Sequence, residues 1–248
     1  MKTIILIFLF SILIQAQSFN LIFDDEVSWS PLKLTTLVSW YKGDIPLETF
    51  GNGVKWVGQS GGGEIAYTVA GTNGANPTTG TSDGHITLIF DGINDFLKDT
   101  ITIAQPITIY MVMKQITWTQ DDDIMNGQGN VALLRQNDAT PKLYTYSGAA
   151  FSCANANLAI DTWGILRFVV NGASSSIRID DNAATTGTAQ TGSMTRFCVG
   201  AYVAANEGFA DYSNIEVAEI IICSGTVTAG DDANVMAYFH NKYPSLPQ

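Results

Sequence analysis

Short apolar segments alternate with polar clusters along most of the chain. In residues 107–114 every second side chain is apolar and would fall on one face of a strand; these are Ile107, Ile109, Met111 and Met113. Glycine, asparagine, aspartate and threonine separate the segments, as is typical of turns. Strands are predicted at residues 37–42, 86–90, 107–114, 131–135, 142–146, 163–171, 175–180, 196–202 and 215–223. The pattern predicts an all-β, two-sheet antiparallel sandwich.

Two local signals add detail to this sandwich. Asn171-Gly172 lies between two strand-like segments and favours a tight hairpin turn. A short helix is predicted near the C-terminus, with Asp231 and Asp232 at its start, basic residues at its end, and Pro244 after it. We expect this helix to pack on an edge of the sheet.

The first sixteen residues have the pattern of a signal peptide. Lys2 precedes an apolar stretch of eleven residues, 4–14, and Ala16 ends a plausible cleavage site. Eleven helical residues span about 16 Å, which is about half of a bilayer core. The sequence therefore predicts a leader at 1–16, an N-terminal segment at 17–29 and one domain at 30–248. The mature protein would be secreted or held at the cell surface, unless the leader is retained.

Composition narrows the class of protein. The chain has 248 residues, of which 46% are hydrophobic and 14% charged, with a net charge of −11. This is enough apolar material for one large core. The negative charge would repel a phosphate backbone, so nucleic acid is excluded as a partner. Three cysteines, Cys153, Cys198 and Cys223, allow at most one disulfide, and the last two lie in strand-like segments as buried thiols would.

An ordered series of motifs resembles a known family. It runs through "SPLKLTTLVSWYKGD", "VKWVGQSGGG", "FDGINDFL", "PITIYMVMK", "WGILRFVVNGASSSIRID" and "VAEIIIC". The series is similar to the concanavalin A-like, laminin-G-type jelly roll, in its bacterial and phage branch. The resemblance implies two curved antiparallel sheets and a binding or adhesion role. Many relatives carry an aspartate where this chain has Gly58, so no ligand role is carried over to that position.

The segment "FDGINDFL" predicts a corner between strands. Gly92 permits a positive φ, and the Asp91 carboxylate can accept hydrogen bonds from its own turn. Phe90 would then belong to the core. The alternative is a calcium loop, because Asp91 and Asp95 supply the hard oxygen ligands that Ca²⁺ prefers.

The segment "ITWTQDDDIMNGQGN" is the main candidate for function. Three consecutive aspartates repel each other unless solvent, a basic partner or a cation separates their charges. An aromatic ring beside carboxylates and amides is suited to a sugar, which stacks on the ring and hydrogen-bonds through its hydroxyls. The predicted ligand-binding residues are Trp118, Asp121, Asp122, Asp123 and Asn126, with Trp56 as a second platform. Asp121 and Asp123 are the predicted ligands of a possible Ca²⁺.

Catalysis is not expected. "GQSGG" at 58–62 matches the nucleophile-elbow pattern but lacks the required helix after Ser60. Glu216 and Glu219 are three residues apart, and a regular strand would point them to opposite faces. A glycosidase needs two carboxylates that face the same sugar. A glycoside-active enzyme built from scattered residues is the least favoured alternative.

These observations predict an exported, non-catalytic, lectin-like domain. It would bind a glycan or a surface protein, with Ca²⁺ as a possible cofactor. The alternative is a structural or host-recognition protein of a phage virion, a role in which this fold also occurs. The leader argues against that alternative, because virion proteins are assembled without export.

Overall fold

The computed structural model describes residues 29–68, 76–129, 131–137, 141–146, 150–152, 157–189 and 191–247. The predicted leader, all but the last residue of the segment at 17–29, and Cys153 lie outside the described residues. Pro31–Gln248 forms one compact unit. Within the described part of the chain, no helix has the length and apolar character needed to cross a bilayer.

The described elements are mostly strands, with short 3-10 turns at Pro31–Lys33 and Gly172–Ser174. In chain order the strands are β1 (Leu37–Lys42), β2 (Glu48–Phe50), β3 (Gly53–Val57), β4 (Ile65–Tyr67), β5 (Thr78–Ser82), β6 (His85–Asp91), β7 (Leu97–Lys98), β8 (Thr102–Ile103), β9 (Ile107–Gln115), β10 (Asp123–Gly127), β11 (Val131–Asn137), β12 (Lys142–Tyr146), β13 (Ala150–Ser152), β14 (Trp163–Val170), β15 (Ser175–Ile179), β16 (Thr185–Gly187), β17 (Met194–Thr195), β18 (Cys198–Val199), β19 (Tyr202–Val203), β20 (Phe209–Ala210) and β21 (Asn214–Ser224). The helix α1 (Ala229–Lys242) follows the last strand.

Two antiparallel sheets form the sandwich. Sheet A has the order β16-β15-β14-β9-β21-β6-β5, with β1 also paired to β21. Sheet B has the order β13-β12-β11-β10-β18-β7-β4-β3-β2. Two short ribbons, β8 with β17 and β19 with β20, complete the described strands. The predicted two-sheet sandwich with a C-terminal helix is therefore confirmed.

The core lies between the inner faces of the two sheets. The alternating side chains of β9, including Met111 and Met113, point into it, as the sequence pattern predicts. The opposite face of β9 is also covered, since Tyr110 and Val112 have no exposed surface. Helix α1 accounts for this, because the Tyr110 hydroxyl donates to Asp232 of the helix at 2.8 Å.

The sequence predicts that helix α1 packs on an edge of the sheet. In the structure the helix instead lies across the outer face of sheet A. The Thr228 hydroxyl caps it by accepting from the Asp231 amide at 3.1 Å. In the next position, Asp232 forms ion pairs of 2.9 Å with Arg167 and 2.8 Å with Arg178, which lie on β14 and β15. The acidic first turn therefore fixes the helix to the sheet in addition to favouring the positive helix end.

Glu219 ties the other end of the helix to sheet A. Its fully buried carboxylate accepts hydrogen bonds from four side chains. These are Trp40 Nε1 at 2.5 Å, Tyr238 at 2.8 Å, Lys242 Nζ at 2.6 Å and Tyr243 at 2.9 Å. A buried carboxylate destabilises the fold unless hydrogen bonds and an opposite charge compensate its loss of solvation. Glu219 thus has a structural role.

A bulge in β21 changes the faces on which two glutamates lie. Between Val217 and Glu219 the pairing with β9 shifts by one residue, leaving Ala218 as the extra residue. Glu216 and Glu219 consequently share the outer face, which corrects the prediction of opposite faces. At the same place Gly43 donates to the Ala218 carbonyl at 2.7 Å. A Cβ at Gly43 would stand 1.9 Å from the Ile86 carbonyl oxygen, so the junction requires glycine.

The hairpin between β14 and β15 is present, but its connection is longer than predicted. Residues 171–174 form it, and Gly172–Ser174 is a 3-10 turn in place of a two-residue primed turn. The Ser175 hydroxyl replaces the missing turn bonds by accepting from the Asn171 amide at 2.8 Å. Cys198 and Cys223 are free and buried, as expected of small apolar residues.

Candidate functional site

The aspartate run lies in the connection from β9 to β10. Asp121 is exposed, in a left-handed conformation with φ of 72°, while Asp122 is half-buried and Asp123 fully buried. Backbone hydrogen bonds join this turn to β11. In one of them the Asp121 amide donates to the Gln136 carbonyl at 2.8 Å. Three adjacent carboxylates thus occupy three different environments.

Arg135 of β11 supplies the positive charge for this run. Its Nε lies 2.8 Å from Asp123 Oδ1, and its two terminal nitrogens each lie 3.6 Å from a further carboxylate, those of Asp121 and Asp211. Burial raises the pKa of Asp123 to about 7, and Arg135 opposes that shift. Burial also raises the pKa of Asp122 to about 6. The guanidinium is therefore a basic partner for Asp121 and Asp123, and calcium binding by these residues stays a prediction.

The outer face of sheet B is covered beside this cluster. Phe96 and Cys198 pack with Val203 in a small second core, and the Phe96 and Phe209 rings stack with centroids 3.9 Å apart. The Asp123 amide donates to the Asp211 carbonyl at 2.8 Å. The segment that carries β19 and β20 thus folds back over sheet B, and it leaves Asp123 without exposed surface.

The remaining predicted residues of this segment are only partly accessible. Asn126 is fully buried, and Trp118 is half-buried with its Nε1 enclosed and unpartnered among the described residues. Asp123 and Asn126 therefore have no surface to offer a glycan, which corrects their assignment as ligand-binding residues. Trp118, Asp121 and Asp122 retain exposed surface.

Trp56 also differs from its prediction. Its ring is fully buried in the main core and packs against Tyr41 at a centroid distance of 5.3 Å. Its indole N–H donates to the Lys42 carbonyl at 2.7 Å. A sugar can stack only on a ring face that is accessible. The buried ring of Trp56 offers no such face, which does not agree with its prediction as a second stacking platform.

The corner after β6 is built as its residues suggest. Asp91 Oδ1 accepts from the amides of Ile93, Asn94 and Asp95 at 2.8, 3.1 and 3.4 Å, and Gly92 has φ of 73°. Asp95 Oδ2 accepts from the Asp91 amide at 3.0 Å. Both carboxylates thus serve the turn. No group of three or more acidic, histidine or cysteine side chains is placed to hold a metal ion in the part of the chain that the structure describes.

A cleft of about 560 Å³ opens elsewhere, at the end of the sandwich where β2, β3 and β4 meet the loop after β7. It has the size of a small-molecule site, which is roughly 300–1,000 Å³. Its lining comes from three separate stretches of the chain in addition to β1. The lining residues are Val38, Phe50, Gly62, Gly63, Glu64, Ile65, Tyr67, Asp99, Thr100 and Ile101.

Two aromatic rings form one wall of the cleft. Phe50, at the end of β2, is 44% exposed, which is unusual for a phenylalanine. Its ring packs against Tyr67 of β4, with centroids 5.3 Å apart and planes tilted by 52°. The pair presents an apolar surface that is fixed by the sheet but open to solvent.

Glu64 also lines the cleft, at the end of a glycine-rich loop. The Gly58 amide donates to the Glu64 carbonyl at 2.8 Å and closes the loop, and the Ser60 hydroxyl donates to the Glu64 carboxylate. Ser60, the central residue of the nucleophile-elbow pattern, is thus an orienting partner of Glu64. Gly61 and Gly63 have positive φ of 88° and 78°, which the tight loop requires.

Asp99 forms the floor of the cleft. Only 1% of it is exposed, and it accepts from the Tyr41 hydroxyl at 3.2 Å and from the amides of Ile101 and Phe197 at 3.0 and 3.1 Å. Burial raises its pKa to about 7, and the charge of Glu64 adds to the shift. Burial and Asp99 likewise raise the pKa of Tyr41. Asp99 is therefore a polar, proton-binding floor that a ligand scarcely touches.

Sequence reasoning missed this cleft. Phe50, Glu64 and Asp99 are far apart in sequence, and only the pairing of β2, β3, β4 and β7 brings them together. The available signals were local: an aromatic residue directly before the Gly51-Asn52 turn, and a carboxylate directly after three glycines. Neither signal predicts a binding site, because only the order of strands in the sheet shows that these residues lie close together.

Solved structures share this fold. A sialidase from Trypanosoma rangeli in complex with sialic acid aligns with a TM-score of 0.57 and 10% identity, over 83% of this chain and 33% of that one. Domain 4 of AbnA, a GH43 extracellular arabinanase from Geobacillus stearothermophilus, in complex with arabinotriose, aligns with a TM-score of 0.56 and 13% identity, over 82% and 98%. The receptor binding domain of botulinum neurotoxin type G aligns with a TM-score of 0.53 and 8% identity, over 82% and 52%.

At these identities the likeness shows the β-sandwich fold alone. The chain spans about a third of the sialidase chain and about half of the neurotoxin chain. No family model matches the sequence, and no curated protein matches it.

Proposed function

We propose that the protein is an exported, non-catalytic glycan-binding domain and that the cleft holds the sugar. The observation that carries this proposal is the exposed Phe50–Tyr67 ring pair beside Glu64. A sugar ring has an apolar face that stacks on aromatic rings, and its hydroxyls donate to carboxylates. The cleft supplies both kinds of contact within one cavity.

The absence of catalysis is part of the proposal. Most glycosidases use two carboxyl groups that flank the scissile bond. In the cleft only Glu64 is accessible, because Asp99 is buried and engaged by three donors. On the outer face of sheet A, Glu216 is neutralised by Lys114 at 2.8 Å and Glu219 by Lys242 at 2.6 Å.

The solved structures that share this fold are consistent with a glycan as the ligand. The sialidase and the arabinanase domain are each in complex with a sugar, and the arabinanase domain matches this chain over nearly its whole length. Export would follow from the leader predicted at residues 1–16. A sugar-binding domain outside the cell has direct access to polysaccharides.

Binding of the purified protein to a broad glycan panel tests the proposal. We expect at least one glycan to bind, and Phe50→Ala to weaken that binding about tenfold or more, since it removes the exposed stacking surface. The matched control is Ile93→Ala, which removes an apolar side chain that is 72% exposed outside the cleft. The control should leave binding unchanged.

Two results would contradict the proposal. If no glycan binds, a protein partner becomes the better hypothesis. If binding survives Phe50→Ala but is lost in Trp118→Ala, the ligand lies at the aspartate run and the cleft is not the site.

A further inference from the structure

The cleft carries negative charge without a matching cation. No lysine or arginine is among its described lining residues, and none pairs with Glu64 in the described part of the chain. Two lysines on the strands beside Tyr67 have other partners: Lys55 of β3 pairs with Glu48 at 2.9 Å, and Lys98 of β7 pairs with Glu207 at 3.1 Å.

Three carboxylates elsewhere in the described structure do have a cation as partner. Asp123 has Arg135 at 2.8 Å, Asp232 has two arginines, and Glu219 has Lys242 at 2.6 Å. Glu64 is half-buried and has a serine hydroxyl as its partner. Its charge is therefore held in place by the loop but remains available to a ligand.

Like Glu64, the aromatic wall favours a positively charged ligand. The faces of Phe50 and Tyr67 carry the negative part of the ring quadrupole, which attracts an ammonium group. A carboxylate with two rings is the combination by which proteins recognise organic cations. An acidic sugar would instead meet Glu64 and a protein of net charge −11.

We propose that the cleft selects a glycan with free primary amines, of the glucosamine type, over its N-acetylated form and over acidic glycans. This inference rests on the proposed function, because it names the ligand class of the same site. The ammonium group would bind Glu64, and the apolar face of the sugar would stack on Phe50 and Tyr67. N-acetylation removes the positive charge and therefore the selected contact.

Chito-oligosaccharides of equal length, with free or with acetylated amines, test the inference by calorimetry at mildly acidic pH. We expect the free-amine form to bind about tenfold more tightly, and the difference to shrink at high salt, which screens an exposed charge pair. Glu64→Gln should abolish the difference between the two forms, because glutamine keeps the acceptor for Ser60 but not the charge.

Asp161→Asn is the matched control. It removes the same charge from an exposed aspartate outside the cleft, and asparagine tolerates the local φ of 57°. This variant should keep the full preference. If both substitutions reduce binding of the free-amine form equally, the attraction is non-specific and the inference is wrong.

The outcomes separate this inference from the proposed function. Equal binding of the two oligosaccharides, or tighter binding of the acetylated one, would overturn the amine preference and leave glycan binding standing. Binding of sialylated or uronic-acid glycans in preference to both would also overturn it. Failure of every glycan to bind would overturn the proposed function as well.

Discussion

The two acidic regions of the molecule differ in how their negative charge is balanced. At the aspartate run, Arg135 lies 2.8 Å from Asp123 and 3.6 Å from Asp121, and the neighbouring segment covers Asp123. In the cleft, the half-buried Glu64 shares the lining with two aromatic rings and has a serine as its partner. The denser run of acids thus has a cation from within the protein, while the single glutamate remains available to a ligand.

This difference shows why charge density in a sequence is a poor guide to a binding site. A charge in a fold is either compensated within the protein or left for solvent and ligands. Which of these applies to a given aspartate depends on the strand that pairs beside it. Here β11 pairs with β10 and brings Arg135 to Asp123.

Removing Arg135 should produce the largest effect. Arg135→Met would leave the buried Asp123 without its cation, and we expect a loss of about 3–5 kcal/mol in the free energy of unfolding, measured with denaturant. The double variant Arg135→Met/Asp123→Asn removes both charges and should recover much of this loss. A single variant as stable as the parent would contradict the interpretation of Arg135 as the structural partner of the run.

Much of the fold could be predicted from the sequence. The alternation in residues 107–114 predicted the inner face of β9, and the acidic and basic ends predicted helix α1. The corner at Asp91-Gly92 followed from turn chemistry that acts within five residues. Each of these features is decided by neighbours in sequence.

The features that escaped prediction depend on pairing between distant strands. The bulge at Ala218 lies where β21 exchanges β6 for β1 as its neighbour, and no local pattern marks it. The residues around Trp56 do not indicate whether its ring lies in the core or at the surface. The cleft needs Phe50, Glu64 and Asp99 from separate elements, so only the sheet order reveals it.

A change at the floor of the cleft should have an intermediate effect that depends on pH. The pKa of Asp99 is raised from 3.8 to about 7 by burial, so the folded protein binds more protons than the unfolded chain between these values. The protonated Asp99 carboxyl therefore makes its full contribution to the free energy of unfolding below about pH 4. This contribution is lost as pH rises through about 7. From about pH 4 to about pH 8, the parent should lose about 2–4 kcal/mol relative to Asp99→Asn.

Denaturant unfolding of the two proteins across this pH range measures the effect. Asparagine can keep the bonds from the two amides through its Oδ1, and its Nδ2 can donate to the Tyr41 oxygen in place of the bond that Oδ2 accepts, which makes the variant a close structural match. Asp95, Asp122 and Asp123 also have raised pKa values, but they are present in both proteins and cancel in the difference. Parallel pH profiles would show that Asp99 does not hold its proton at neutral pH.

The smallest effect is expected at the exposed end of the aspartate run. Asp121 is solvated and 3.6 Å from Arg135, and asparagine tolerates its φ of 72°. Asp121→Asn should therefore change the free energy of unfolding by less than about 0.5 kcal/mol and leave glycan binding unchanged. Because Arg135 already pairs with Asp121 and Asp123, the melting temperature of the parent should be the same in calcium and in EDTA. A calcium-dependent rise that disappears in Asp121→Asn would instead show that Asp121 and Asp123 hold the ion that their sequence suggests.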